Sequence, residues 1–147
     1  MSYPREVNYS IETNWDRGTG GYATFGDHMI NFDTPIEFGG EGKAPCPDQL
    51  FLASLSGCIL DTFINFKNRL EVETTSVKLK TSTKVKLNSK GFYSLEDIRI
   101  LFKIQCEKVF LKKNRRCAEL ACEYCHLTKS IESVIPIKIK IDLSESG

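Results

Sequence analysis

The sequence predicts an α+β domain with antiparallel sheet, and three observations carry that prediction. Apolar residues alternate with polar ones near the start, through the middle and at the end of the chain. An apolar stretch of helical length follows the first alternation, and an amphipathic stretch precedes the last. With 147 residues, 41% of them hydrophobic, the chain has material for one core, so a single domain over 1–147 is expected.

Val7, Tyr9 and Ile11 alternate with Asn8, Ser10 and Glu12 and predict a half-buried strand. Gly18, Gly20 and Gly21 suit turns between short strands, and a second turn at Gly26-Asp27 separates YATF from MINF, which together predict a small antiparallel meander. These glycines lack the GxxxxGK[ST] spacing of a phosphate-cradling loop. After Phe38, the glycines and prolines of GGEGKAPCPDQ forbid regular structure and predict a long loop. Pro47 fits a first helical position, with Asp48 in the first turn, where a carboxylate complements exposed N–H groups. From Leu50 to Phe66 nearly every residue is apolar and Asp61 is the sole charge, which predicts a helix buried on all sides. Its roughly 17 residues fall short of the about 20 typical of a membrane span, so burial in protein, partly against a second copy of the chain, is expected.

Val77, Leu79, Val85 and Leu87 then alternate with lysines, and Ile98, Ile100, Phe102, Ile104 and Cys106 form a second alternating run beyond a turn at Ser89-Lys90-Gly91. The two runs predict an antiparallel hairpin with Cys106 facing inward. In LKKNRRCAELACEYCHLTKSIES the spacing of Cys117, Leu120 or Ala121, Tyr124 and Leu127 predicts an amphipathic helix. Pro136 stops it, and PIKIKIDL reads as a final strand.

Twenty Lys+Arg against nineteen Asp+Glu leave a formal charge of +1, so neither a nucleic acid nor a membrane surface is an expected partner. The opening MSYPREVNYS has no apolar leader core, and six cysteines are too few for a disulfide scaffold, so a cytoplasmic protein with reduced thiols is expected. Clustered cysteines in that compartment point to metal, redox or nucleophilic chemistry. Cys58, within the most apolar helix, reads either as a small apolar filler or as a thiol that other groups activate. The string CEYCH matches a c-type haem attachment signature, but only His28 and Met29 remain as second axial ligands apart from Met1. Zinc wants two closely spaced ligand pairs and only Cys122/Cys125 is one, while a thioredoxin-like dithiol belongs at a helix start. No metal and no cofactor are therefore expected.

The segment GGEGKAPCPDQLFLASLSGCILDTF resembles the OsmC/Ohr family of osmotically induced and organic-hydroperoxide-resistance proteins. It carries the Gly39-Gly40 loop, the Pro47-Asp48 helix start and Cys58 ten residues after the acid. ELACEYCHLTKSIESVIPIKIKIDL is similar to the second family block and places the second family cysteine at Cys125. The resemblance implies an OsmC-like fold: antiparallel sheets packed around a long buried central helix, in an intertwined homodimer. It also implies a thiol-dependent peroxidase in which Cys58 attacks an organic hydroperoxide, with hydrogen peroxide as a second candidate substrate. Cys125 then forms a disulfide with Cys58, and an external dithiol such as a lipoylated protein reduces it.

In the family an acid and an arginine polarise the thiol, and Asp48 and Arg17 stand at those positions; Asp48 is one methylene shorter than the usual Glu, and Arg17 reads equally as a solvated turn residue. Ten helical residues put Asp48 about 15 Å from Cys58 along the axis, so an Asp48 beside a thiol would come from the partner chain. Cys46 and Cys122 fall outside the shared pattern, and Cys122 is an alternative resolving thiol or a bystander. The alternative function is a non-catalytic redox sensor or apolar-ligand-binding member of the same family.

Overall fold

The computed structural model describes residues 3–147. They form two compact units, one ending at Phe51 and the other spanning Leu52–Gly147, which divide within a single helix. The first unit holds an antiparallel meander of β1 (Glu12–Trp15), β2 (Gly20–Phe25) and β3 (His28–Asp33). The strand expected from Val7 starts only at Glu12, and Val7, Tyr9 and Ile11 stay exposed. Glu12 pairs with Thr24, and β2 ends one residue later at the Gly26-Asp27 turn, so earlier residues find no partner strand there.

Past β3 the glycine-rich loop closes back on that strand. The Asp33 carboxylate, 1% exposed, accepts from the Thr19 hydroxyl at 2.6 Å, the Lys43 N–H at 2.8 Å and the Thr34 N–H at 2.9 Å. The Thr19 bond first, then the Lys43 N–H, hold it below the ordinary carboxylate range. Gly39 takes a φ of 84° that most side chains resist, and a Cβ on Gly40 would collide with the Thr34 carbonyl. The Gly-Gly pair is thus required by backbone geometry.

Helix α1 (Pro47–Arg69) begins at the expected proline. It buries a single stripe, Leu55, Ile59 and Phe63, at the four-residue spacing of one helix face. The all-round burial expected of it is not reached within one chain, where Ile64 is 40% exposed. Its length and composition would suffice to cross a membrane, but the buried stripe ties it to protein: Phe63 meets Phe102 edge to face at 5.4 Å.

Phe102 belongs to the second sheet, β4 (Ser76–Leu87), β5 (Tyr93–Cys106) and β6 (Ile137–Glu145), with β5 central. The hairpin turn forms as expected, with Asn88 Oδ1 accepting from the Lys90 and Phe92 N–H groups and Gly91 at φ 85°. β4 and β5 are antiparallel, whereas β6 runs parallel to β5, a departure from the all-antiparallel expectation. Two helices separate β5 from β6, which supplies the long crossover that a parallel pair needs. The register stacks Leu79, Phe102 and Ile141 in one row and Val77, Ile104 and Leu143 in the next.

The stretch expected to be one amphipathic helix is two, α2 (Leu111–Tyr124) and α3 (His126–Ile131), separated at Cys125. α2 buries Asn114, Cys117, Ala118 and Ala121, so Ala121 rather than Leu120 faces inward and Tyr124 is 60% exposed. Buried Asn114 is fully engaged: it accepts from the Thr74 hydroxyl at 2.6 Å and donates to the Glu73 and Phe110 carbonyls. That satisfies a polar side chain in a place where an unpaired one would cost about 1–3 kcal/mol.

Candidate active site

Cys58 lies in the middle of α1, half-buried, one residue before Ile59 in the buried stripe. Its position one step off that stripe leaves the sulfur at the margin of the core, where other elements reach it.

The elements that reach it are consecutive in sequence. Cys125 sits at the helix break with extended backbone, φ −67° and ψ 104°, between the end of α2 and the start of α3. Its carbonyl accepts from the Lys129 N–H and the Thr128 hydroxyl, so the restart of the helix leaves that oxygen satisfied. The Cys125 side chain is fully buried and hydrogen-bonds with Cys58. His126 Nδ1 stands 3.7 Å from Cys58 Sγ, and the Leu127 N–H donates to the same sulfur. Three successive residues therefore converge on one thiol, because a chain that leaves α2 and restarts as α3 turns side chain, ring and N–H toward α1.

Burial first, and then the hydrogen bond with Cys125, push the Cys58 thiol up from its ordinary value. The Leu127 N–H and the Thr62 hydroxyl act in the opposite direction by favouring negative charge on sulfur. Cys122 is pushed up to about 11, chiefly by burial and then by the neighbouring Cys125. Cys106 and Cys117, both expected as core, are fully buried. All six cysteines are free thiols.

The structure thus brings Cys58 and Cys125 together. Asp48 and Arg17 belong to the first unit: Asp48 occupies the first turn of α1, and Arg17 the β1–β2 turn with φ 68°. That turn is organised by Asp16, whose carboxylate accepts from the Gly18 N–H at 2.7 Å. Within the described residues of the second unit the groups on the Cys58 sulfur include no guanidinium. His126, read from the sequence only as part of a haem-like string, is the residue at this site that sequence reasoning missed. Its signal was adjacency to Cys125, but only the helix break makes neighbours in sequence into neighbours of Cys58. No group of three or more metal-ligating side chains forms among the described residues.

A central helix bearing one thiol, facing a second thiol at a break between helices and backed by a mixed sheet, defines a class of protein, and the comparisons identify it. The family model for OsmC-like protein matches residues 40–140, and the chain belongs to that family. The OsmC-like protein of Mycoplasma pneumoniae is similar over 97% of this chain and 99% of its own, with TM-score 0.77 and 16% identity. An organic hydroperoxide resistance protein OsmC of Legionella pneumophila is similar over 94% and 97%, with TM-score 0.70 and 19% identity. Among curated proteins, a SPRY domain-containing protein of Schizosaccharomyces pombe is 34% identical over 59 residues. That match spans 39% of this chain and 15% of the yeast protein.

Proposed function

We propose that this protein is a thiol-dependent peroxidase that reduces organic hydroperoxides, with Cys58 as the attacking and Cys125 as the resolving thiol. The single observation that carries the reading is the hydrogen-bonded contact of these two free thiols across α1 and the α2–α3 break. The Cys58 sulfur attacks the terminal peroxide oxygen, an S–O bond forms, the O–O bond breaks, and an alcohol leaves. Sulfur is oxidised by two electrons and the peroxide is reduced by two. Cys125 then displaces water from the sulfenic acid to give the Cys58–Cys125 disulfide, which an external dithiol returns to two thiols. Membership of the OsmC-like family and fold likeness to proteins called organic hydroperoxide resistance proteins support a peroxide-related role.

The proposal includes a cytoplasmic homodimer. Ala53 and Ile64 of α1, outside the Leu55–Ile59–Phe63 stripe, are exposed within one chain, and a second copy would bury them and bring Asp48 toward a thiol of its partner. The test is consumption of cumene hydroperoxide with dihydrolipoamide as reductant, in wild type and Cys58→Ser. Turnover in the wild type that disappears in Cys58→Ser is expected. Equal consumption by both would remove the enzyme and leave the redox-sensor or ligand-binding alternative.

A further inference from the structure

We propose that His126 is the proton-exchanging partner of Cys58: Nδ1 takes the thiol proton as the sulfur attacks and returns it to the departing alkoxide. The inference deepens the peroxidase reading above and rests on it. Its step balances as Cys58–SH plus ROOH giving Cys58–SOH plus ROH, with the imidazole neutral before and after.

The imidazole Nδ1 stands 3.7 Å from the sulfur, within reach of a sulfur hydrogen bond, and catalytic contacts commonly tighten from such distances when substrate binds. His126 is an exposed residue, and with Nδ1 unprotonated in its neutral form the ring nitrogen beside the sulfur acts as an acceptor. The backbone helps to place the ring: His126 follows the Cys125 break, and its carbonyl accepts from the Ser130 hydroxyl at 2.7 Å. Lys129, one turn further on, is paired with Glu132 at 3.3 Å. The titratable groups beside the Cys58 sulfur are Cys125 and His126; the Leu127 N–H donates to it, and the Thr62 hydroxyl donates to the Cys58 carbonyl at 2.7 Å.

The need for a base follows from the same surroundings. Burial and Cys125 favour the protonated thiol, so the attacking thiolate is scarce at neutral pH unless a nearby group accepts the proton. An imidazole, with an ordinary pKa near about 6.5, is the side chain suited to accept and return that proton at neutral pH. The Leu127 N–H and the Thr62 hydroxyl then favour the charge left on sulfur.

The test is the rate of Cys58 alkylation by iodoacetamide on the reduced full-length protein between about pH 5 and about pH 10, followed on the Cys58 peptide by mass spectrometry. The wild type is expected to show an inflection near neutral pH ahead of thiol ionisation. His126→Gln, which keeps a polar group but does not titrate, is expected to lose that inflection and react about tenfold more slowly at about pH 7.5, the equivalent of one pKa unit. In His126→Gly, added imidazole should restore the rate, which a merely structural role would not allow. Superimposable wild-type and His126→Gln profiles would overturn the proposal. Because alkylation needs no peroxide, a His126-dependent inflection in a protein that turns over no hydroperoxide would sink the peroxidase reading while the pair itself stands.

Discussion

Cys58 and Cys125 meet beside His126 and the Leu127 N–H, whereas Cys106 on β5 and Cys117 on α2 are enclosed in the core of the second unit. Burial is the leading influence on Cys58, Cys106 and Cys117 alike, and in each it pushes the thiol upward. The opposing influences differ. Cys106 has only the side chain of Asn114, which is already committed to Thr74, Glu73 and Phe110, and Cys117 has the charge of Lys67. Cys58 is opposed by the Leu127 N–H and the Thr62 hydroxyl, stands beside a second thiol and an imidazole, and is only half-buried. A raised thiol therefore does not mark a site; the set of groups able to move a proton or a disulfide bond does.

The sharpest way to break this contrast is to make the same substitution in both regions. Cys58→Ser should drop hydroperoxide turnover to background with little change in the urea unfolding midpoint. Cys117→Ser should do the reverse, since a hydroxyl placed at a fully buried site costs about 1–3 kcal/mol when it is left unpaired. Activity per folded molecule should then be unchanged. If Cys117→Ser removed turnover without loss of stability, the division of the cysteines would be wrong.

A second, smaller contrast lies within the CxxC. After one equivalent of hydroperoxide and no reductant, Cys125→Ser should accumulate a Cys58 sulfenate that dimedone traps, because no adjacent thiol condenses with it. Cys122→Ser should form the Cys58–Cys125 disulfide as the wild type does, since a thiol pushed up to about 11 is protonated at neutral pH. Non-reducing peptide mapping reads both outcomes, and a Cys58–Cys122 disulfide in the wild type would reverse the assignment.

Much of this was legible in the sequence where local chemistry decides structure. Pro47 opened α1, Gly26 and Gly91 turned two hairpins, and alternation around Phe102 and Ile104 fixed β5. The misses are long-range. The alternation at Val7–Ile11 had the pattern of a strand but no partner there, and a strand is made by its neighbour as much as by its own residues. The α2–α3 crossover is long enough to permit a parallel β6, but the alternation of Ile137, Ile139 and Ile141 is the same in either direction, so the sequence left the direction open. The break at Cys125 carries neither proline nor glycine. Its local trace is Thr128, whose hydroxyl takes up the Cys125 carbonyl, and that role is invisible until the helix is seen to stop. The site follows the same division, since Cys58 and Cys125 could be singled out from the family pattern, but His126 depended on the break.

The smallest expected effect concerns pH and stability, and it separates the enclosed thiols from the site once more. A folded Cys122 ionises at about 11 against an ordinary 9.0, so below about pH 9 both the folded and unfolded chains keep the proton and its stabilising contribution is complete. Above that value the unfolded chain loses the proton while the folded chain retains it, and stability falls as the pH rises toward the folded value. Cys106 and Cys117, also raised, should contribute in the same direction. Urea midpoints at about pH 8 and about pH 10.5 should therefore fall further in wild type than in Cys122→Ala, by a margin that isolates this thiol from the lysines and tyrosines titrating nearby. For Cys58 the Leu127 N–H and Thr62 hydroxyl offset part of the upward push, so Cys58→Ala should change the slope less. A larger change at Cys58 than at Cys122 would mean that the Leu127 N–H and the Thr62 hydroxyl do not offset the upward push on the site thiol.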